Sequence, residues 1–312
     1  MDGRLQIFAG SANPGLAEAI VRELELPLGR RFAGSWSDGE TRIELEENVR
    51  GSDVFVIQPM CSPVNQNIIE LLLMIDAVRR ASAARVTAVI SYFAYARQEK
   101  KTRGREPVSA KVMANLLVTT GVDRILTLDM HSPAIEGFFD IPVDHLRSTP
   151  ILAAHFRRSF TSELVVVSPD AGGVGRAEEF RQRIAGSLAI ISRKHPGPEQ
   201  TEMLEMVGDV QDRDALIVDD VISTGETLLK AAETLVARGA SSVRVTAVHG
   251  VFAADALKRI DDSIIEKVYV TDSIPLPLEG PRDKIEVLTV APLLAEAIMR
   301  IHKDLSISAL FV

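Results

Sequence analysis

The chain is poor in cysteine. Cys61 stands alone among 312 residues, so no internal disulfide can form and a reducing compartment is expected. Positive charge is in deficit: 35 Lys and Arg against 43 Asp and Glu leave a net −8, which argues against a general nucleic-acid surface. It leaves room for a local basic site that takes a polyphosphate. No apolar run reaches the ~18 residues of a membrane helix, and the N-terminus carries no signal-peptide pattern. A cytoplasmic protein that binds neither nucleic acid nor membrane is therefore expected. Short repeats and low-complexity stretches are missing too. What remains is an ordinary globular composition, in a length that usually means two domains.

The hydrophobic pattern alternates between short β-branched runs and amphipathic segments. Strands are expected near 4–9, 31–36, 53–58, 85–91 and 124–128, with a hairpin through Ile43 and Leu45 and helices over 16–24, 68–80 and 110–120. Ser109 is placed to cap the last of these. The series then restarts: helices near 151–160, 176–184, 253–260 and 293–303, and strands near 164–167, 188–191, 215–218, 243–249, 265–271 and 285–290. Residues 193–206 are polar and aperiodic, as in a loop. Alternating strands and helices mean α/β layers with mostly parallel sheets flanked by helices. Two such series predict two similar domains, 1–148 and 149–312.

One stretch draws the chemistry together. Ala215–Val218 reads as a buried parallel strand with Asp219 and Asp220 at its carboxyl end. Ser223, Thr224, Gly225, Glu226 and Thr227 follow, then a helix carrying Leu228, Ala232, Leu235 and Val236 on one face and stopped by Gly239. Hydroxyls, a glycine and helix N-terminal N–H groups favour an anion, and two carboxylates beside them suit sugar hydroxyls. A capped helix start needs one such oxygen, not two adjacent acids.

Ligands of open α/β sheets bind at the carboxyl ends of strands. That rule also selects Asp170–Gly175, whose three glycines read either as a phosphate loop or as an ordinary strand-to-helix turn. Asp170 adds a Mg²⁺ or hydroxyl ligand to the first reading. Asp129-Met130-His131 is a structural turn or a metal ligand. Arg97-Gln98-Glu99-Lys100-Lys101, with Arg103 and Arg105, is a solvated loop or a phosphate clamp. Arg193-Lys194-His195 is a surface loop or a lid that brings cations to a transition state.

Taken together the motifs resemble the ribose-phosphate pyrophosphokinases, also called phosphoribosyl diphosphate synthetases. The likeness spans the chain and rests on Ser37-Asp38-Gly39-Glu40, Tyr95-Ala96-Arg97-Gln98, Asp129-Met130-His131, Gly137–Pro142, Ser168–Gly173, Gly208-Asp209-Val210 and Val218-Asp219-Asp220 with Thr224-Gly225. It implies two phosphoribosyltransferase-like domains, with ATP on the first and ribose 5-phosphate on the second. It implies transfer of the diphosphoryl group of ATP to the C1 hydroxyl of ribose 5-phosphate, with Mg²⁺ as cofactor. Arg97 and Gln98 would bind ATP, with Trp36, Asp38 and Glu40 reaching the nucleotide from a neighbouring subunit of a homo-oligomer, in this family usually a hexamer. His131 and Asp170 would place the metal, Asp219 and Asp220 the ribose hydroxyls, and Ser223 to Thr227 the 5-phosphate. Arg193, Lys194 and His195 would supply the catalytic cation, and Arg50 and Ser308 a regulatory site for phosphate and ADP.

The departures from the family pattern are local. Trp36 stands where Phe is usual, and Thr102 replaces an acid after Arg-Gln. Glu226 enters the phosphate turn, where a carboxylate repels the ligand unless it faces solvent. In the lid, the usual Lys and Arg become Arg193 and His195, with Lys194 between them. Two other readings stand beside the leading one: a nucleobase phosphoribosyltransferase, against which the N-terminal half argues, and a non-catalytic regulatory homologue that binds nucleotide.

Overall fold

The structure is a computed structural model that describes residues 3–160, 163–194 and 203–310, of which 193, 194, 203 and 204 by backbone alone. The residues cluster into two compact units, one comprising the chain up to Arg147 with Asp272–Pro275 and the segment from Thr289 onward, the other Ser148–Thr271 with Leu276–Leu288.

In the first unit β1 (Leu5–Ala9) leads into α1 (Pro14–Glu23). β2 (Arg31–Ser35) and β3 (Thr41–Leu45) pair as an antiparallel ribbon. Then come β4 (Asp53–Ile57), α2 (Val64–Arg80), β5 (Arg85–Ile90), α3 (Ser109–Thr119), β6 (Arg124–Leu128) and β7 (Val143–Leu146). β1, β4, β5, β6 and β7 form one sheet in the order β1-β4-β5-β6-β7, parallel throughout. Such a sheet needs cover on its faces, which explains why β4, Asp-Val-Phe-Val-Ile, is buried along its whole length. Phe8, Val54, Val56, Leu71, Met74 and Ile75 fill the core between sheet and helices. Ser109 does not cap α3; Val108 holds that position, and the Ser109 hydroxyl donates instead to Gln98 Oε1 at 2.5 Å.

The final helix, α8 (Ala291–His302), packs on α1 in this first unit. Its anchor is Asp53, a fully buried carboxylate that accepts two bonds from Arg85, at 2.8 and 2.7 Å, and meets His302 Nδ1 at 2.8 Å. Arg85 also donates to the Ile301 carbonyl at 2.8 Å. A buried acid requires such partners. The grouping of the chain from Thr289 with the first unit differs from a single cut at residue 148.

The second unit runs α4 (Thr149–Ser159), β8 (Leu164–Ser168), α5 (Val174–Ile184), β9 (Ser187–Lys194), β10 (Met203–Val207), β11 (Asp214–Ile222), α6 (Glu226–Ala237), β12 (Ser242–Gly250), α7 (Ala256–Asp261), β13 (Lys267–Thr271) and β14 (Ile285–Leu288). Its sheet has the order β10-β9-β8-β11-β12-β13-β14 and is parallel except at β9–β10. The expected loop over 193–206 is therefore corrected. Arg193 and Lys194 close β9 and pair with Leu204 and Met203 of β10, because an antiparallel return satisfies both edges. Residues 195–202, with His195, lie outside the described residues.

Candidate active site

In the second unit the site is built around β11. The expected strand ends at Val218, but pairing with β12 continues through Asp219↔Ala247, Val221↔His249 and Ile222↔Gly250. Both acids are thus held by a strand rather than by a loose turn. Asp220 is buried and Asp219 nearly so. Arg176 Nη1 reaches Asp219 Oδ1 at 3.1 Å and Asp220 Oδ1 at 3.3 Å. Asp219 Oδ1 also accepts the Asp220 backbone N–H at 2.8 Å. Burial pushes the Asp219 carboxyl above its ordinary range, the neighbouring Asp220 charge adds to this, and Arg176 opposes both.

The turn after β11 is pinned by its carbonyls. Ile222 O accepts from Val251 and Phe252, and Ser223 O from Ala253. Gly225 caps α6 with a left-handed backbone, φ 76°, that a side chain would strain. Ser223 and Thr227 are half-buried and Thr224 is exposed. Glu226, the first residue of α6, is exposed and pairs with Lys230 at 3.0 Å, in keeping with the expectation that it faces solvent.

The Asp170 loop sits between β8 and α5. The buried Ser168 hydroxyl donates to the Asp170 carbonyl at 2.7 Å, and Asp170 Oδ1 accepts the Gly173 N–H at 2.9 Å. Asp170 Oδ2 has no partner among the described residues, and the side chain is exposed.

In the first unit the candidates gather at the carboxyl ends of β5 and β6. Tyr95 takes a left-handed backbone, φ 61°, and donates its hydroxyl to Asn65 Oδ1 at 2.6 Å. The following turn of 3₁₀ helix, Ala96–Gln98, leaves Arg97 and Gln98 exposed. Glu99 lies beside Ser132, whose hydroxyl holds its carboxyl below the usual range, with Lys100 and His131 adding to the effect. The Arg-Gln motif and the Asp-Met-His motif are thereby brought together.

Asp129 starts that second turn with a left-handed backbone, φ 37°. The Met130 N–H donates to His145 Nε2 at 2.7 Å, and His145 Nδ1 lies 2.6 Å from Glu136 Oε1. A backbone N–H can only donate, so Nε2 is the acceptor and Nδ1 carries the proton given to Glu136. Burial holds the His145 ring below its ordinary value, Arg147 adds to this, and Glu136 opposes it.

Trp36, Asp38 and Glu40 occupy the exposed tip of the β2–β3 ribbon. Asp38 Oδ1 accepts the Glu40 N–H at 3.2 Å, and the Arg42 guanidinium stacks 4.6 Å from the Trp36 ring centre. Among the described residues no hydrogen bond or ion pair joins this tip to Arg97 or Gln98, and none joins Arg50 to Ser308. Arg50 and Ser308 are both exposed.

Sequence reasoning missed Arg176, His145 and Glu136. Arg176 left one trace: it is a cation in the first turn of a helix, where the macrodipole disfavours positive charge. Such a placement asks for an acidic partner.

The family model described as the N-terminal domain of ribose phosphate pyrophosphokinase matches residues 5–121. The one described as the phosphoribosyl synthetase-associated domain matches residues 194–312. A protein of Clostridium acetobutylicum named ribose-phosphate pyrophosphokinase is 46% identical, covering 98% of this chain and 97% of its own. One of the same name from Caldanaerobacter subterraneus subsp. tengcongensis is 48% identical, covering 98% of each. Among solved structures, phosphoribosylpyrophosphate synthetase from Mycobacterium smegmatis superposes with a TM-score of 0.92 at 39% identity, over 96% of this chain and 99% of that one.

Proposed function

The chain belongs to the ribose-phosphate pyrophosphokinase family, and we propose how its own residues divide that family's reaction between them. It transfers the diphosphoryl group of ATP to the C1 hydroxyl of D-ribose 5-phosphate, giving 5-phospho-α-D-ribose 1-diphosphate and AMP. The observation that carries the reading on this chain is the pair of adjacent, largely buried carboxylates on β11 ahead of the glycine-capped α6. Nothing in the fold or the relatives favours the non-catalytic alternative.

Asp219 and Asp220 hold the ribose hydroxyls: an ionised carboxylate accepts, and a carboxyl that keeps its proton also donates. The 5-phosphate takes the N–H groups and hydroxyls of Ser223, Thr224, Gly225 and Thr227, where a helix start leaves donors without intrahelical partners. Glu226 adds its backbone alone while its side chain stays with Lys230. On the first unit Arg97 and Gln98 bind ATP. Trp36, Asp38 and Glu40 serve the nucleotide of a neighbouring subunit, with the Trp36 ring stacking on the base. That role makes the working form a homo-oligomer, and we take the hexamer usual in the family as its size. Arg50 and Ser308 belong to the regulatory phosphate site. The single cysteine supports a cytoplasmic location.

Magnesium prefers oxygen ligands and is held by one or two carboxylates together with substrate phosphates and water. The residues fit that habit: no cluster of three acids or histidines occurs among the described residues, and Asp170 offers one exposed carboxylate oxygen. On the second unit Asp170 would hold an ion, and on the first unit His131 is the softer candidate donor. Bound there, Mg²⁺ would neutralise phosphate charge. The protein's own share is positioning, which dominates phosphoryl transfer. Arg193, Lys194 and His195 bring positive charge to the transferring group.

The test is AMP release by the wild-type protein with Mg²⁺, ATP and ribose 5-phosphate, alongside Arg193→Ala and Lys194→Ala. Sugar-dependent AMP and a loss of about a hundredfold or more in one lid variant are expected. Absence of sugar-dependent AMP, with nucleotide binding intact, would reject the activity; unchanged turnover in both variants would reject the lid.

A further inference from the structure

The helix that follows the Asp170 loop sends Arg176 to the Asp219-Asp220 pair. Neighbouring residues of a strand send their side chains to opposite faces, yet one guanidinium nitrogen contacts an oxygen of each acid, at 3.1 and 3.3 Å. Arg176 therefore draws the two carboxylates toward one point. A Cβ at Gly173 would stand 2.9 Å from Ser168 Oγ, 3.6 Å from Asp170 Oδ1 and 3.8 Å from Arg176 Nη1. A side chain there would crowd Ser168, the residue whose hydroxyl holds the Asp170 carbonyl.

The pairing is selective at the atomic level. Both Arg176 contacts go to Oδ1 atoms, and Asp219 Oδ1 also takes the Asp220 N–H. The Asp219 side chain also hydrogen-bonds that of Asp220 and is only 19% exposed. Carboxyl groups so fixed present their oxygens to a hydroxyl at a set place. Without the guanidinium no shared donor would draw both carboxyl groups to one point.

We propose that Arg176 is a positioning residue for the sugar: it holds one oxygen of Asp219 and one of Asp220 converged on its guanidinium, so that a vicinal diol meets carboxyl groups fixed in place. The inference rests on the ribose 5-phosphate reading of this site. It concerns binding of the sugar and not of the nucleotide, so its signature is a split between two Michaelis constants.

The experiment compares wild type, Arg176→Met and Arg176→Lys by KM for ribose 5-phosphate, KM for ATP and kcat, with the unfolding midpoint of each variant measured alongside. Arg176→Met is expected to raise the ribose 5-phosphate KM about tenfold or more, the value of a charge-assisted hydrogen bond. The ATP KM should stay within about twofold. Arg176→Lys should recover part of the loss, because lysine restores the charge but not the fork. If the methionine variant does not fold, the lysine variant must still show a smaller split of the same sense. An unchanged sugar KM, a parallel rise in both constants, or a lysine variant no better than methionine would overturn the inference while leaving the activity standing. A wild type without sugar-dependent AMP release would bring down the ribose 5-phosphate reading and the inference with it.

Discussion

The two units solve the same problem by opposite means. Each carries acidic residues just where a parallel strand delivers them, Asp129 after β6 and Asp219 with Asp220 on β11. In the first unit a neutral ring does the holding: His145 accepts the Met130 N–H beside the left-handed Asp129. In the second a cation does it, Arg176 against two carboxylates. The first device fixes backbone and leaves the net charge of the turn unchanged. The second fixes side chains by compensating their charge. The two therefore answer to pH with opposite signs.

The largest expected effect lies in the second unit. Removing one partner of a buried ion pair leaves uncompensated charge, so Arg176→Met should cost about 3 kcal/mol of stability, well above the few tenths gained by relieving a cation at a helix start. The Asp219 carboxyl is raised in the folded state, by burial first and by Asp220 second. Between the ordinary aspartate value of 3.8 and that raised value the folded chain binds more protons than the unfolded one. Stability of the ligand-free protein thus falls as pH rises through this window. Asp219→Asn should flatten the fall and Arg176→Met should steepen it, as read from urea unfolding at a series of pH values. A slope that neither substitution moves would separate the acid pair from the pH response.

The first unit should respond less and in the other direction. His145→Leu orphans a buried N–H, at about 1–3 kcal/mol. His145→Gln keeps an acceptor and should lose less. The folded ring is held below the ordinary 6.5, so the unfolded chain takes up its proton first as pH falls, and stability drops on the acid side of that value. Both variants should lack this contribution. Equal destabilisation by leucine and glutamine would mean that the acceptor is not what holds the turn.

The contrast also marks what could be read from sequence. Strand-end acids were legible, because strand runs and turn residues are local signals; Asp219, Asp220, Asp170, Asp129 and His131 all fall in or directly after strands. Their supports were not. His145 lies on β7, four residues, Val-Asp-His-Leu, too short for alternation to declare a strand. Arg176 is separated by 43 residues from Asp219, and only a sheet order that sets β8 next to β11 brings them together. The same limit hid the place of α8. Asp53, Arg85 and His302 read as a strand start, another strand start and a helix end, and nothing local says that they share one buried charge cluster.

The smallest effect concerns Glu226, the acid at the start of α6. It sits at the first position of α6, where a negative charge is favourable by about 0.3–1 kcal/mol, and its exposed pair with Lys230 adds a few tenths. Glu226→Gln should therefore cost less than about 1 kcal/mol in unfolding free energy. The kinetic consequence is sharper than the thermodynamic one. If the carboxylate stays on Lys230, the ribose 5-phosphate KM should move by less than about twofold. If instead it lay about 4 Å from the 5-phosphate, the repulsion would be about 1 kcal/mol even in bulk water and about 4 kcal/mol near a protein surface. Its removal would then lower the sugar KM by about fivefold at the least, the factor that corresponds to about 1 kcal/mol. A drop of that size would place Glu226 among the charges that Arg176 and the turn must offset, whereas an unchanged KM would leave the burden on Asp219, Asp220 and the Thr224–Gly225 backbone.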